Sequence, residues 1–279
     1  MDYLKSIFGQ DGFNDFMEFY FEKKHKVLKN ALDKKFLSPE RDWFKLILLV
    51  SKSMPSNLRA NKSGSVLQPP ENISANDLAE WAHSVYLNGA TIVLNYVERL
   101  DLELFDASRK IGRDLGASVT FTFFFTPSQS QGFVPHFDTL DVFIFQLFGS
   151  KNWAIAQNQV ALPTTKQGYL VDKERSIRSR CDGFELEQGD MLYIPRGLVH
   201  WAETQQESSI HITCDINSVT LGQVLKCGYR ARAMNILDYP LMSNKNVFME
   251  LKHIMEAEYD SIDSKMSIES SIKENELFK

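Results

Sequence analysis

The sequence predicts a mostly β domain, a sandwich or barrel of short strands, with helices flanking it. Three observations carry this expectation. Short apolar runs bounded by Gly, Pro and Asp turn signals recur through residues 88–217, the pattern of an all-β sandwich or barrel. The 20 phenylalanines of the 279 residues gather in a few runs, and aromatic side chains suit a pleated, half-buried surface. Stripes of helical period lie before and after the strand-rich stretch. The expected division is a mixed segment over 1–87, a barrel over 88–217 and a helical module over 218–279.

In chain order, Phe13 to Leu32 has helical periodicity, with Phe13, Phe16, Met17 and Tyr20 on one side. Asp42 to Ser51 contains LILLV, a strand or a buried helix that periodicity alone does not separate. Residues 55–77 carry Pro55, Gly64, Pro69 and Pro70 among polar residues and read as loop. A short helix is expected over Asp77 to Leu87, a strand over Ala90 to Val97 and an amphipathic helix over Leu102 to Leu115. Strands follow at Ser118 to Thr126, closed by Pro127, and at Val142 to Phe148, which ends in the turn FGSK. Trp153 to Ala156 begins the return. After the turn EQGD come the strand MLYIP, the loop RGLVH and the strand SIHITCDI. Beyond 218, Phe248, Leu251, Met255, Tyr259 and Ile262 make one apolar helical stripe, which is expected to bury itself on the barrel or on a second subunit as a homodimer.

Composition limits the function classes. The formal net charge is −5, a poor match for phosphate backbones, which demand Lys and Arg; a basic protein or peptide partner suits it better. The three cysteines, Cys181, Cys214 and Cys227, are odd in number and match no zinc spacing, so they read as free thiols in a reducing compartment. The start, MDYLKSIFGQDGF, has no apolar core of a secretory signal, and no apolar run approaches the ~20 residues of a membrane span. A cytoplasmic protein is expected, or a nuclear one if the source has a nucleus.

Two of the six histidines stand at informative places. His136 and Asp138 are two apart at the end of an extended segment, and residues i and i+2 of a strand share a face. His200 follows LYIPRGLV. Two His and one carboxylate on one side of a metal form the facial triad, with positions left open for oxygen and a co-substrate. The H-x-D pattern alone recurs by chance in many chains, so the argument rests on its context.

The stretch TPSQSQGFVPHFDTLDVFIFQLFGSKNWAIA (Thr126 to Ala156) resembles the JmjC family, in particular its ribosomal-oxygenase branch. LEQGDMLYIPRGLVHWAETQQESSIHIT (Leu186 to Thr213) is similar to that branch's second metal motif. The resemblance covers the strand-rich region and extends weakly upstream. It implies a double-stranded β-helix (jelly-roll, cupin) core and an Fe(II)- and 2-oxoglutarate-dependent dioxygenase that uses O2 to hydroxylate a C–H bond of a protein or peptide side chain. It implies iron on His136, Asp138 and His200. It puts Lys151 at the far carboxylate of 2-oxoglutarate, and His211 and Thr213 along the co-substrate pocket. Where the branch places Asn and Tyr, this chain has Thr122 and Phe124; Thr122 retains a donor and Phe124 has none. Where the branch often has Ser, this chain has Asp215, whose charge would repel a dianion unless it turns away or pairs. The stretch after the core has room for the branch's helical dimerisation module and none for its winged-helix domain. Phe133, Phe137, Arg196 and Trp201 flank the ligand segments, as a pocket mouth or as ordinary rim packing. Two rivals stand beside this reading: a cupin-fold metal enzyme that does not use 2-oxoglutarate, and a non-catalytic module that retains metal.

Overall fold

The computed structural model describes residues 3–32, 45–156, 163 and 181–218. The chain divides into two compact units: Met1–Asp114 with Ser118–Asn217, and Leu115–Ala117 with Ser218–Lys279. The helical stripe expected after residue 218 lies outside the described residues, as does Cys227.

The N-terminal helices α1 (Tyr3–Phe8) and α2 (Gln10–Phe19) are separated by Gly9 at φ 72. Phe13 and Phe16, three apart, form the buried side of α2, and Phe8 stacks on Phe16 with ring centroids 4.8 Å apart. The helix stops well short of Leu32. Glu22 takes a left-handed φ of 55 and the chain then extends as β1 (Lys26–Leu28), because pairing with a strand of the barrel satisfies its backbone better than another helical turn. LILLV is helical within α3 (Lys45–Ser53): Ile47, Val50 and Ser51 are buried and Leu48 and Leu49 face out, a period of three to four that a strand cannot produce.

Residues 55–77 differ from the expected loop. They hold β2 (Leu58–Lys62) and β3 (Ser65–Leu67), joined by Ser63 and Gly64, both at positive φ, the backbone a two-residue hairpin turn requires. The strands are short and close one end of the sheet, so they hold too few residues to show a clear apolar alternation. α4 (Ala75–Leu87) starts at Ser74, whose Oγ accepts the Asp77 N–H at 3.2 Å. α5 (Leu102–Leu115) starts where Asp101 Oδ1 accepts the N–H groups of Glu103 and Leu104.

The remaining strands are β4 (Thr91–Asn95), β5 (Ala117–Thr126), β6 (Asp141–Phe148), β7 (Lys151–Ala156), β8 (Cys181–Leu186), β9 (Met191–Ile194), β10 (His200–Glu203) and β11 (Ser209–Ser218). They build an eight-stranded sheet in the order β1-β9-β6-β11-β5-β4-β2-β3 and a three-stranded sheet in the order β10-β7-β8. Neither β8 nor β10 was expected as a strand. The two sheets face each other across one apolar layer, in which Val142 and Ile144 of β6 and Leu192 and Ile194 of β9 meet Trp153 and Ile155 of β7 and Leu186 of β8. The interior row of β6 thus runs Val142, Ile144, Gln146, and that of β7 runs Lys151, Trp153, Ile155, by strand alternation. Among the described residues no helix is long and apolar enough to cross a membrane.

Candidate metal and co-substrate site

His136 and His200 are directly opposed. Each donates its backbone N–H to the other's carbonyl, at 3.1 and 2.8 Å, in an isolated antiparallel bridge at the margin of the smaller sheet. Opposed residues share a face, so the imidazoles come together with ring centroids 4.5 Å apart. Asp138 joins them from two residues further on, its own carbonyl accepting the Gly197 N–H at 2.8 Å. His136 Nε2 is 3.9 Å from Asp138 Oδ1 and His200 Nε2 is 3.5 Å from Asp138 Oδ2. Ligand atoms of the three residues all lie within 4.8 Å of one another.

The ring orientations are fixed from behind. Nδ1–H of His136 donates to the Val134 carbonyl at 2.8 Å, and Nδ1–H of His200 donates to the Leu198 carbonyl at 2.9 Å. This tautomer leaves both Nε2 lone pairs turned toward the carboxylate, the disposition a metal-binding His needs. Burial pushes the His200 imidazole down to about 4, helped by the neighbouring His136 and opposed by Asp138. It is therefore neutral at pH 7 and ready to donate its lone pair. Two imidazoles and a carboxylate converging on one point suit a divalent cation of the Fe(II) type.

Lys151 opens β7 and is 5% exposed. Its Nζ donates to Thr126 Oγ1 at 2.9 Å, and Thr91 Oγ1 lies 3.1 Å from the same hydroxyl. Burial alone pushes its ammonium down to about 7. His211 is held well below its usual range by burial first and by the nearby Lys151 second. Its Nδ1 has no hydrogen-bond partner among the described residues, nor has Trp153 Nε1. A closed circuit of ring contacts joins the triad to this end of the barrel. It runs from His136 to Phe133, Phe124, His211, Trp153, His200 and back to His136. Phe124 stacks on His211 at 4.6 Å with an interplanar angle of 9°.

Thr122 Oγ1 donates to Asp215 Oδ2 at 2.9 Å. Asp215 is thus paired, and burial, with Asp138 and Glu98 nearby, pushes its carboxyl up to about 7 against the hydrogen bond from Thr122. Thr213 is buried on the same face of β11, between His211 and Asp215. Of the four residues that flank the ligand segments, Phe133 has its ring centroid 5.6 Å from that of His136. Phe137 and Trp201 pack with Ala156 and Val199 in a separate apolar cluster, because each follows a histidine of the triad by one residue and faces the other way. Arg196 Nε lies 3.2 Å from Glu22 Oε1, both side chains buried. Thr126, Thr91 and Trp153 escaped the sequence reading. Trp153 had a signal, since it stands two residues after Lys151 on one strand; the threonines had none. An acidic surface cleft lined by Glu185, Glu187 and Glu207 contains none of these groups.

Residues 105–224 match the JmjC domain family model. Ribosomal oxygenase 2 of Mus musculus is 38% identical over 126 residues, 44% of this chain and 26% of that protein. The bifunctional lysine-specific demethylase and histidyl-hydroxylase NO66 of Drosophila persimilis is 36% identical over 135 residues, 48% of this chain and 19% of that protein. The chain spans about a quarter or less of the length of these relatives. Among solved structures, Escherichia coli ribosomal oxygenase YcfD in complex with cobalt and 2-oxoglutarate aligns with a TM-score of 0.51 at 17% identity, over 91% of this chain and 67% of that one. Another structure of E. coli YcfD aligns with a TM-score of 0.53 at 19% identity, over 88% and 66%. Both structural likenesses are of fold alone.

Proposed function

From a chain that carries a JmjC domain over residues 105–224, we propose an Fe(II)- and 2-oxoglutarate-dependent dioxygenase that hydroxylates a C–H bond of a protein or peptide side chain. One observation carries it: two imidazoles and a carboxylate converge within 4.8 Å, in the same barrel interior that buries the Lys151 ammonium. An ammonium is stable there only against an anion. The relatives' names, a ribosomal oxygenase and a histidyl-hydroxylase, support a protein substrate.

Bound Fe(II) and 2-oxoglutarate supply the chemistry, O2-dependent oxidation of a C–H bond coupled to conversion of 2-oxoglutarate to succinate and CO2. The chain supplies geometry. His136, Asp138 and His200 would hold the metal. The carbonyls of Val134 and Leu198 keep both imidazoles in the ligating tautomer. Lys151, steadied by Thr126, binds the distal carboxylate. His211, Thr213 and Thr122 line the path between, and Phe124, Phe133 and Trp153 exclude water along it. The same reading includes a homodimer through residues 218–279, motivated by their apolar stripe, and work in the cytoplasm or nucleus; a monomeric mass by light scattering removes the dimer.

The test is succinate formation by purified protein with Fe(II), 2-oxoglutarate and O2, against a His136→Ala variant. Succinate that depends on His136 supports the oxygenase and justifies a peptide screen. Metal binding without any 2-oxoglutarate binding or turnover moves the assignment to a cupin-type metal enzyme that does without 2-oxoglutarate.

A further inference from the structure

We propose that Gln146 is a positioning residue for the co-substrate: it sets the placement of Lys151 against His211 without touching the metal centre. The inference rests on the 2-oxoglutarate reading of Lys151 given above.

Gln146 is fully buried and is the polar end of the interior row Val142, Ile144, Gln146. Its Nε2 donates toward three acceptors, the carbonyls of Phe148 at 2.8 Å and Gly149 at 3.2 Å and the hydroxyl of Ser209 at 2.8 Å. The two carbonyls belong to the turn that delivers Lys151 to β7. Ser209 opens β11 two residues before His211. One amide therefore ties the β6–β7 turn to the start of β11. The backbone is pinned at the same residue: Gln146 N–H donates to the Asp190 carbonyl at 3.0 Å, and Gly189 N–H donates to the Gln146 carbonyl at 2.9 Å.

The register explains why a tie is needed here. Ile210 opposes Phe148 while His211 opposes Gln146, so the β6–β11 ladder slips by one residue at this step. Such a bulge locally disrupts a ladder and re-aims side chains. Gly149 sits against Ser208 so closely that a Cβ there would lie 2.0 Å from the Ser208 carbonyl oxygen. The turn is thus held by the Gln146 side chain where the ladder slips. The amide oxygen of Gln146 has no hydrogen-bond partner among the described residues. A fully buried amide that uses its donors and leaves its acceptor idle is costly as packing alone, which points to the donors as the reason for its presence.

The experiment uses the full chain loaded with Co(II), with wild type, Gln146→Met and Ser209→Ala compared. Met keeps the length and removes the donors; Ser209→Ala cuts only the tie to β11 and serves if the Met variant does not fold. Three affinities are read: Co(II), 2-oxoglutarate, and oxalate, which chelates a metal ion but has no distal carboxylate. The expected result is a roughly tenfold loss of 2-oxoglutarate affinity in Gln146→Met, and a smaller loss in Ser209→Ala, with Co(II) and oxalate within about twofold of wild type. Equal weakening of 2-oxoglutarate and oxalate, or a parallel loss of Co(II), overturns the proposal, since a general structural role moves all three. Unchanged 2-oxoglutarate affinity in the variants overturns it too, while wild-type binding keeps the proposed function standing. A wild-type protein that binds Co(II) but no 2-oxoglutarate sinks the functional reading and this inference with it.

Discussion

Replacing Lys151 by Met should stabilise the ligand-free protein and abolish 2-oxoglutarate binding. Lys151 is 5% exposed, and the Thr126 hydroxyl that accepts its hydrogen bond carries no counter-charge. Burial takes its ammonium from 10.5 to about 7, a displacement worth about 5 kcal/mol. Relaxation and water penetration return part of this, and Met fills nearly the same volume, so a net gain of ~2 kcal/mol at pH 7 is expected. For a domain of this size that raises Tm by roughly 5 °C. The sign with pH follows from linkage. Between about 7 and 10.5 the unfolded chain still binds the proton that the folded lysine has lost, so wild-type stability rises with pH across that window and is flat on either side. The gap between Lys151→Met and wild type should therefore be widest at pH 7 and nearly closed by pH 10. Thermal denaturation of both proteins at the two pH values measures it, with and without Co(II) and 2-oxoglutarate. The co-substrate should raise the wild-type Tm and leave that of the variant unmoved. A variant clearly less stable than wild type at pH 7, or one that 2-oxoglutarate protects equally, refutes the reasoning.

Asp215→Asn should strengthen 2-oxoglutarate binding, by roughly tenfold above pH 7, because it keeps an acceptor for Thr122 and removes one charge from a partly dry pocket. Its folded carboxyl stands near 7 rather than 3.8, so the wild-type residue costs stability progressively as pH rises through that window; isothermal titration and thermal melts over pH 4 to 8 check both statements. Gly149→Ala should destabilise the fold by about 2 kcal/mol or more in a urea melt, since the residue has φ 61 and its Cβ would meet the Ser208 carbonyl. Tyr193→Phe should cost about 1–3 kcal/mol, because its buried hydroxyl donates to Asp141 Oδ1 at 2.6 Å and accepts the Glu22 N–H at 2.8 Å; a variant that unfolds at the wild-type urea midpoint would show that water replaces both bonds.

Part of the candidate triad was legible from local geometry, and the rest from the motifs around it. His136 and Asp138 are two apart, and a two-residue period needs no knowledge of the rest of the chain. His200 was legible as a residue and not as a strand: HWAE is four residues long, and its pairing with β7 is set by residues more than 40 positions away. The same holds for β1, β2 and β3, whose three to five residues become strands only because a neighbour offers its backbone. LILLV was ambiguous since a short apolar run has no period to read. Lys151 was legible only through the motif around it, since its burial and its bond to Thr126 depend on strands distant in sequence. Gln146 was hidden for a further reason, as one amide within the apolar run DVFIFQLF reads as an outward-facing position, whereas strand alternation turns it inward with Val142 and Ile144. Arg196 and Glu22, 174 residues apart, pair only once the N-terminal segment has folded back along the barrel.

Charge balance gives a reason for these groups to share one interior. The protein brings one carboxylate in Asp138, two imidazoles, of which the His200 ring is held neutral by burial, and one ammonium in Lys151. Imidazoles that ligate a metal are neutral, so a divalent metal beside them would leave a surplus of two positive charges, which a dianion of the length of 2-oxoglutarate would cancel at both ends at once. The balance holds only while Asp215 keeps its proton. The hydrogen bond from Thr122 works against this and burial works for it, and the outcome near 7 leaves the pocket poised between neutral and singly negative. A metal enzyme whose ligand placed no negative charge at Lys151 would leave it without a counter-charge in a site where an isolated ammonium costs several kcal/mol. Its wild-type protein would then show the full pH-dependent penalty with ligand as well as without it. The 2-oxoglutarate reading requires that penalty to vanish on binding, so the difference between the two melting profiles separates the readings without any substrate in hand.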